Sequence, residues 1–314
     1  MNIVFLGTPD FSGKVLSSLI NSKHKVVAVV TQEDKKVGRK QILTESPVKV
    51  IAKQNGIKVL QFHKIRLEGY DELKKLNADI FITCAYGQII SQEILDIPKY
   101  GTINIHFSLL PKYRGASPVQ WTLINGEKFA GVTIMRTDAG IDTGDIISQT
   151  SLEIESEDNS ETLLNKLAIV SVKPLLEVLD SFENSSVKFI KQGEDFTYFP
   201  MLKKEDGLID FNKTSTEIIN LVKGLYIWPN AYFYLNNKMV KIFKAENVEF
   251  NSGVNIGEIA NADKMGLIVK CGGNTYLSIK ELQIEGGKRL CFNDFLNGNK
   301  LNIGTKLNGN NIKL

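Results

Sequence analysis

Short apolar runs broken by glycine and polar positions organise the first half of the chain. Residues 2–6 (NIVFL) are followed directly by Gly7. A run this short and this continuously apolar marks a strand covered on both faces. The pattern returns at 26–31 (VVAVVT), 79–83 (DIFIT), 102–106 (TINIH) and 132–136 (VTIMR). Helical stretches lie between these runs. Residues 11–20 form the first. Ser46 and Pro47 supply an N-cap and a first helical position for a helix through Gln54, and Ser117 and Pro118 open another. Strands alternating with helices predict an α/β domain with a mostly parallel sheet.

Residues 161–182 carry Leu163, Leu164, Leu167, Val170 and Leu175 at helical spacing, which predicts one long amphipathic helix. The chain then turns polar and irregular over 192–206, the expected linker. Thr214 and Glu217 form a capping box for a helix through Gly224. Short alternating segments follow at 232–235, 239–243, 266–271 and 276–284, separated by Gly and Asn. They predict a small β-barrel. The expected division is a domain over 1–191, a linker over 192–206 and a smaller domain over 207–314.

The composition is that of a globular chain, with 43% hydrophobic and 23% charged residues among 314. Net charge is +3, with a small basic excess in the part from Gly207 onward. That excess suits a nucleic-acid partner and suits a solvated surface equally well. Cys84, Cys271 and Cys291 are far apart, which excludes a disulfide framework and a zinc site, and each is expected in the core. The N-terminus has no basic stretch before its apolar run, and no apolar run reaches the ~18–20 residues of a membrane helix. A cytoplasmic monomer with no membrane association is the expectation.

Chemistry concentrates in two stretches. In NIHFSLLPKYRG, Asn104 and His106 stand two residues apart at the end of a strand. Period-two alternation puts both side chains on one face, at the strand end where open α/β folds bind ligands. A buried histidine satisfied by a neighbouring carbonyl is the competing reading. His24 and His63 lie in polar context and are expected on the surface. In GVTIMRTDAGIDTGDII, Asp138, Asp142 and Asp145 sit among glycines. Such a loop can swing a carboxylate toward a site or simply turn at the surface. Gly7-Thr8-Pro9-Asp10 follows the first strand with a single glycine, so it is not a dinucleotide fingerprint, and NAD binding is excluded.

INIHFSLLPKYRGASP followed by DAGIDTGDII resembles the signature of the folate-dependent formyltransferases. FLGTPDF, TQEDKKVGR with SPVK, AYGQIISQEILDIPKYGTINIH, KEDGLIDF and WPNAYF are similar to the methionyl-tRNA formyltransferases within that superfamily. The matches run in order over nearly the whole chain. The resemblance implies a Rossmann-like catalytic domain with an OB-like C-terminal barrel that contacts tRNA. It implies 10-formyltetrahydrofolate as co-substrate, initiator methionyl-tRNA as acceptor and no metal.

It places the catalytic residues on Asn104, His106 and Asp142. Folate contacts fall on Ser108, Leu109, Leu110 and Pro111, on Tyr86 and Gly87 in the 85–89 loop, and on Asp138. Asn104 would donate to the developing oxyanion, His106 would take or relay a proton, and Asp142 would orient His106, favour its charged form or hold a bridging water. The loop 32–45 carries Lys36, Arg39 and Lys40, basic side chains suited to phosphate. It reads VGRKQ where the family more usually has a second glycine after the Arg. Arg114 is open between an ion pair and a substrate anchor. Rival readings are a formyltransferase acting on a sugar amine or on glycinamide ribonucleotide, a formate-releasing hydrolase, and a non-catalytic tRNA- or folate-binding protein.

Overall fold

The structure is a computed structural model that describes residues 1–38 and 40–308. The chain divides into two compact units. One comprises residues 1–118, 129–153 and 164–199, and the other 119–128, 154–163 and 200–314.

The first unit is built on a seven-stranded sheet. Its strands are β1 (Asn2–Gly7), β2 (Lys25–Thr31), β3 (Lys58–Gln61), β4 (Ile80–Cys84), β5 (Thr102–His106), β6 (Phe129–Arg136) and β7 (Ile146–Glu153). Their spatial order is β7-β6-β5-β4-β1-β2-β3. The pairs from β3 to β5 are parallel, and β6 and β7 add antiparallel strands at one edge. The five apolar runs are all strands, as expected. β3 and β7 are strands that the pattern did not announce. KVLQ is short and only partly covered, and the second half of β7 alternates between half-exposed and exposed positions. The order reverses between β1 and β4, where the chain leaves β1 on one side for β2 and later returns on the other. Open α/β sheets form a ligand crevice at the carboxyl ends of strands at such a switch point.

Local chemistry accounts for the helices around this sheet. The Ser46 hydroxyl accepts from the Lys49 amide at 3.1 Å, and Pro47 follows it, so Pro47–Gln54 starts where the sequence places it. Losing such a cap costs about 1 kcal/mol. The long helix expected over 161–182 is instead two, Ser160–Val170 and Val172–Glu183. Pro174 has no amide hydrogen to give the carbonyl of Val170, so the regular ladder is interrupted there. The Ser171 hydroxyl turns back to the Ala168 carbonyl at 2.7 Å. The core is formed by the strands themselves: Val4, Leu6, Ala28, Val30 and Phe81 are fully buried. Burying each large side chain contributes about 1.5–3 kcal/mol.

In the second unit the helix Ser215–Gly224 opens with the expected capping box. The Thr214 hydroxyl accepts from the Glu217 amide, and the Glu217 carboxylate accepts from the Thr214 amide at 2.8 Å. Five antiparallel strands follow, ordered Ala231–Leu235, Lys238–Asn247, Tyr276–Ile284, Gly266–Lys270 and Ile259–Asp263, with Arg289–Cys291 paired to Tyr276–Ile284. Phe233, Val240, Leu267, Ile279 and Phe292 fill their common core with Ile218 and Val222 of the helix.

Two expectations about burial need correcting. His24 is buried, because its ring lies against the N-terminal ammonium (3.3 Å from Nδ1) and beside Asp180 and Glu183 at 3.8 Å. Cys291 is exposed, with its Sγ 3.1 Å from the Asp294 carboxylate, whereas Cys84 and Cys271 are buried. His63 is at the surface, as expected. No helix among the described residues is long and apolar enough to cross a membrane.

Candidate active site

Parallel pairing of β4 with β5 sets Thr83 beside Asn104. The Thr83 hydroxyl donates to the Asn104 side-chain oxygen at 2.8 Å. In this orientation the amide oxygen is engaged, and its nitrogen is the end left to donate.

His106, two residues on, is buried at 6% exposure. Its Nε2 lies 2.9 Å from the main-chain carbonyl of Tyr113. A carbonyl only accepts, so Nε2 carries a hydrogen and donates it, which leaves Nδ1 as the nitrogen not committed to the backbone. Nδ1 faces Oδ1 of Asp142 at 3.5 Å. The other carboxylate oxygen of Asp142 accepts the Gly115 amide at 2.8 Å. The carboxylate is thus held from behind with one oxygen turned to the imidazole. His106 and Asp142 come together from the two stretches that the sequence marked, and Asn104 stands two residues before His106 on the same strand. Both readings of His106 describe part of what is found: it is satisfied by a carbonyl at one nitrogen and faces a carboxylate at the other.

Asp142 has a φ of +53°, in the left-handed region. Its own loop does not hold it there unaided. Gln192 donates from Nε2 to the carbonyls of Asp142 and Gly144, each at 2.8 Å, and accepts from Arg114 Nε at 3.0 Å. The Arg114 guanidinium also lies over the Phe196 ring, 4.5 Å from its centroid. Arg114 thus meets a neutral amide and a ring, an internal anchor that neither the ion-pair nor the substrate reading named. Tyr198–Phe199 pairs in parallel with Arg114–Gly115, and the Tyr113 ring stacks on Phe199 at 5.1 Å. A side chain at Gly115 would collide with the Phe199 carbonyl, so this close approach requires glycine there. Residues 192–199, expected as linker, therefore belong to the first unit and brace the site. Sequence reasoning missed Gln192, and a lone amide in a polar stretch carries no local signal of this role.

The SLLP segment is held rigidly. Thr133 donates to the Ser108 carbonyl at 2.6 Å and accepts from the Leu110 amide at 3.1 Å, while Gln149 donates to the Leu110 carbonyl at 2.7 Å. The Ser108 hydroxyl is spent on the Lys112 carbonyl at 2.8 Å. Leu110 is buried with Met135 and Ile146, so it builds the floor and is not an exposed apolar contact. Leu109 and Pro111 are half-buried, and Leu109 lies against Gly131.

Across the sheet, the Tyr86 carbonyl accepts from Thr8 at 3.0 Å and Gln32 at 3.1 Å, tying three strand-end loops together. The Tyr86 ring is in the core, where burial pushes its phenol well above the usual range, and Gly87 is exposed. Asp138 accepts from Thr143 at 2.8 Å and from the Gly140 amide at 3.1 Å, so its side chain closes its own loop.

The basic loop is a short ribbon, Lys35–Val37 paired antiparallel with Ile42–Thr44. Lys36 and Lys40 are exposed on it, beside exposed Val37, Ile42 and Leu43. Arg39 lies outside the described residues. The base of the ribbon is fixed by Lys49, which reaches Asp34 at 2.7 Å and Gln61 at 3.0 Å. That contact holds the Asp34 carboxyl below its usual range.

A family model described as formyl transferase matches residues 1–179, and one described as formyl transferase, C-terminal domain, matches residues 201–300. The methionyl-tRNA formyltransferase of Geobacter metallireducens is 45% identical over 309 residues, covering 98% of both chains. That of Ruminiclostridium cellulolyticum is 43% identical over 311 residues, covering 98% of this chain and 99% of the relative. Among solved structures, the N-formyltransferase from Helicobacter canadensis, in complex with folinic acid and dTDP-3-aminofucose, is similar in fold with a TM-score of 0.67 at 22% identity, covering 92% of this chain and 99% of that one. With both domain models matched and relatives this close over the full length, the chain belongs to the methionyl-tRNA formyltransferase family.

Proposed function

We propose that this chain transfers the formyl group of 10-formyltetrahydrofolate to the α-amino group of methionine on initiator methionyl-tRNA, for translation initiation. The observation that carries the reading is the His106 imidazole held between the Tyr113 carbonyl and Asp142, with Asn104 two residues away at the same strand end.

The reaction needs a free amine, a stabilised oxyanion and a proton for the departing nitrogen. The amine nitrogen attacks the formyl carbon, and the carbonyl π pair moves onto oxygen. The Asn104 amide nitrogen donates to that oxygen as its charge develops, an interaction stronger in the transition state than in the ground state. The attacking nitrogen gives up one proton, and the folate nitrogen takes one as its bond to carbon breaks, so no proton is lost overall. His106 relays that proton at Nδ1. Asp142 stabilises the imidazolium that forms while the proton is in transit.

The domain assignment belongs to the same proposal, with its boundary moved by the contacts of 192–199: folate binding and catalysis within the unit that runs to Phe199, and tRNA contact within 207–314. Gly87, Leu109, Pro111 and the loop closed by Asp138 line the crevice for the pterin, an apolar slot with a few fixed polar groups. Lys36, Arg39 and Lys40 meet tRNA phosphates. The test is direct. Purified protein is given 10-formyltetrahydrofolate and aminoacylated initiator tRNA, and the product is formyl-methionyl-tRNA. Turnover with a nucleotide-linked sugar amine, and none with the tRNA, would reassign the acceptor.

A further inference from the structure

Asp142 is held by a closed circuit of contacts. Its carboxylate takes the Gly115 amide, and Gly115 follows Arg114. The Arg114 side chain donates to Gln192, and Gln192 returns to the Asp142 carbonyl. The amide of Gln192 fits this place in one orientation only. Arg114 Nε can only donate, so it must meet the amide oxygen, and the carbonyls of Asp142 and Gly144 can only accept, so they must meet the two N–H groups. Flipping the amide would break all three bonds. Asp142 sits in the left-handed region, uncommon outside glycine, and the two bonds from Gln192 to the carbonyls of Asp142 and Gly144 hold it there.

We infer that Gln192 is a positioning residue for the formyl-transfer reaction: it locks the Asp142 loop so that the carboxylate faces Nδ1 of His106. It acts through Asp142 and Arg114, the residues to which its hydrogen bonds run together with Gly144. The inference rests on the catalytic reading of Asp142 given above. It predicts a loss in turnover without a loss in substrate binding, because the group displaced is one that helps the proton move and not one that holds folate or tRNA.

The experiment is a double-mutant cycle on the full chain. Gln192→Met keeps the volume and removes every hydrogen bond, and Gln192→Ala serves as a second variant should Met pack badly. Each is made alone and with Asp142→Asn, with folding checked by circular dichroism and thermal melting. The expected result is that Gln192→Met lowers kcat by roughly 10–100-fold, the scale of a small misplacement, with KM for both substrates little changed. In the Asp142→Asn background the same change should cost almost nothing, since residues acting as one unit are not additive.

Full kcat in a folded Gln192→Met protein overturns the inference. So do losses that multiply in the double variant, which would leave Gln192 a general structural residue. Full turnover in Asp142→Asn alone sinks the catalytic reading of Asp142 and the inference with it. A large Asp142→Asn loss without coupling removes the inference only.

Discussion

Thr83 and Asn104 stand opposite each other on neighbouring parallel strands, and the Thr83 hydroxyl donates to the Asn104 amide oxygen at 2.8 Å. With its oxygen on that hydroxyl, the Asn104 amide has its nitrogen left to donate, the role that the proposed mechanism gives it. Asn104→Asp keeps the shape and replaces that donor with an acceptor. We expect kcat to fall by roughly 10²–10³-fold, the scale for losing one oxyanion donor, with KM for folate moving far less. Comparable losses in kcat/KM carried by KM alone would place Asn104 in binding and not in chemistry.

Replacing His106 by alanine removes the proposed proton relay. Turnover should drop by roughly 10²–10⁴-fold in a protein that still folds. Single-turnover rates with pre-bound substrates are the decisive measurement, since they isolate chemistry from product release. An unchanged rate would assign the proton transfer to another group.

Exchanging Arg39 and Lys40 together for alanine should weaken tRNA binding. The deficit should be larger at low salt than at high salt, because phosphate contacts release counterions. Binding titrations across a salt series test this. A deficit independent of salt would point to a shape contact, for which the exposed Val37, Ile42 and Leu43 on the same ribbon are the candidates.

Stability below neutral pH should depend on His24. Burial, followed by the charge of the N-terminal ammonium, lowers its pKa from the ordinary 6.5. The unfolded chain then binds a proton at a pH where the folded protein resists it. Stability is full above about 6.5 and is lost as pH falls from there through the depressed folded value. His24→Phe should flatten this part of a plot of Tm against pH. Asp180 and Glu183, both held low chiefly by their bonds to Lys23 and the N-terminal ammonium respectively, lose their contribution only at more acid pH. An unaltered profile in His24→Phe would show that other groups control the range.

The three thiols should separate by reactivity. Burial pushes Cys84 and Cys271 up to about 12, so they carry almost no thiolate at neutral pH. Cys291 is exposed and should react with a maleimide in the native protein, the other two only after unfolding. Mass spectrometry of peptides from the labelled protein reads the result. Rapid native labelling at Cys84 would mean that β4 opens readily.

Several of these features were open to sequence reading, and the reasons differ by residue. The central strands are covered on both faces, so their apolar runs are unbroken and visible. β3 and the outer half of β7 are only partly covered, so no unbroken apolar run announces them. Asn104 and His106 could be paired because strand alternation is a local rule. Asp142 joined them only through resemblance, since a contact across 36 positions leaves no local trace. Gln192 is the same problem without a motif to help. His24 was misplaced because its burial comes from the chain terminus and from Asp180 and Glu183, more than 150 positions away.

The pairing of Tyr198–Phe199 with Arg114–Gly115 bears on how this protein can be cut. A fragment ending at residue 191 would keep Asn104, His106 and Asp142 and yet shed the strand and the amide that brace them. Any minimal version intended for crystallography or selection should run to Phe199 at least, because the last structural contribution to the catalytic floor arrives after the point where composition alone suggests that the domain is over.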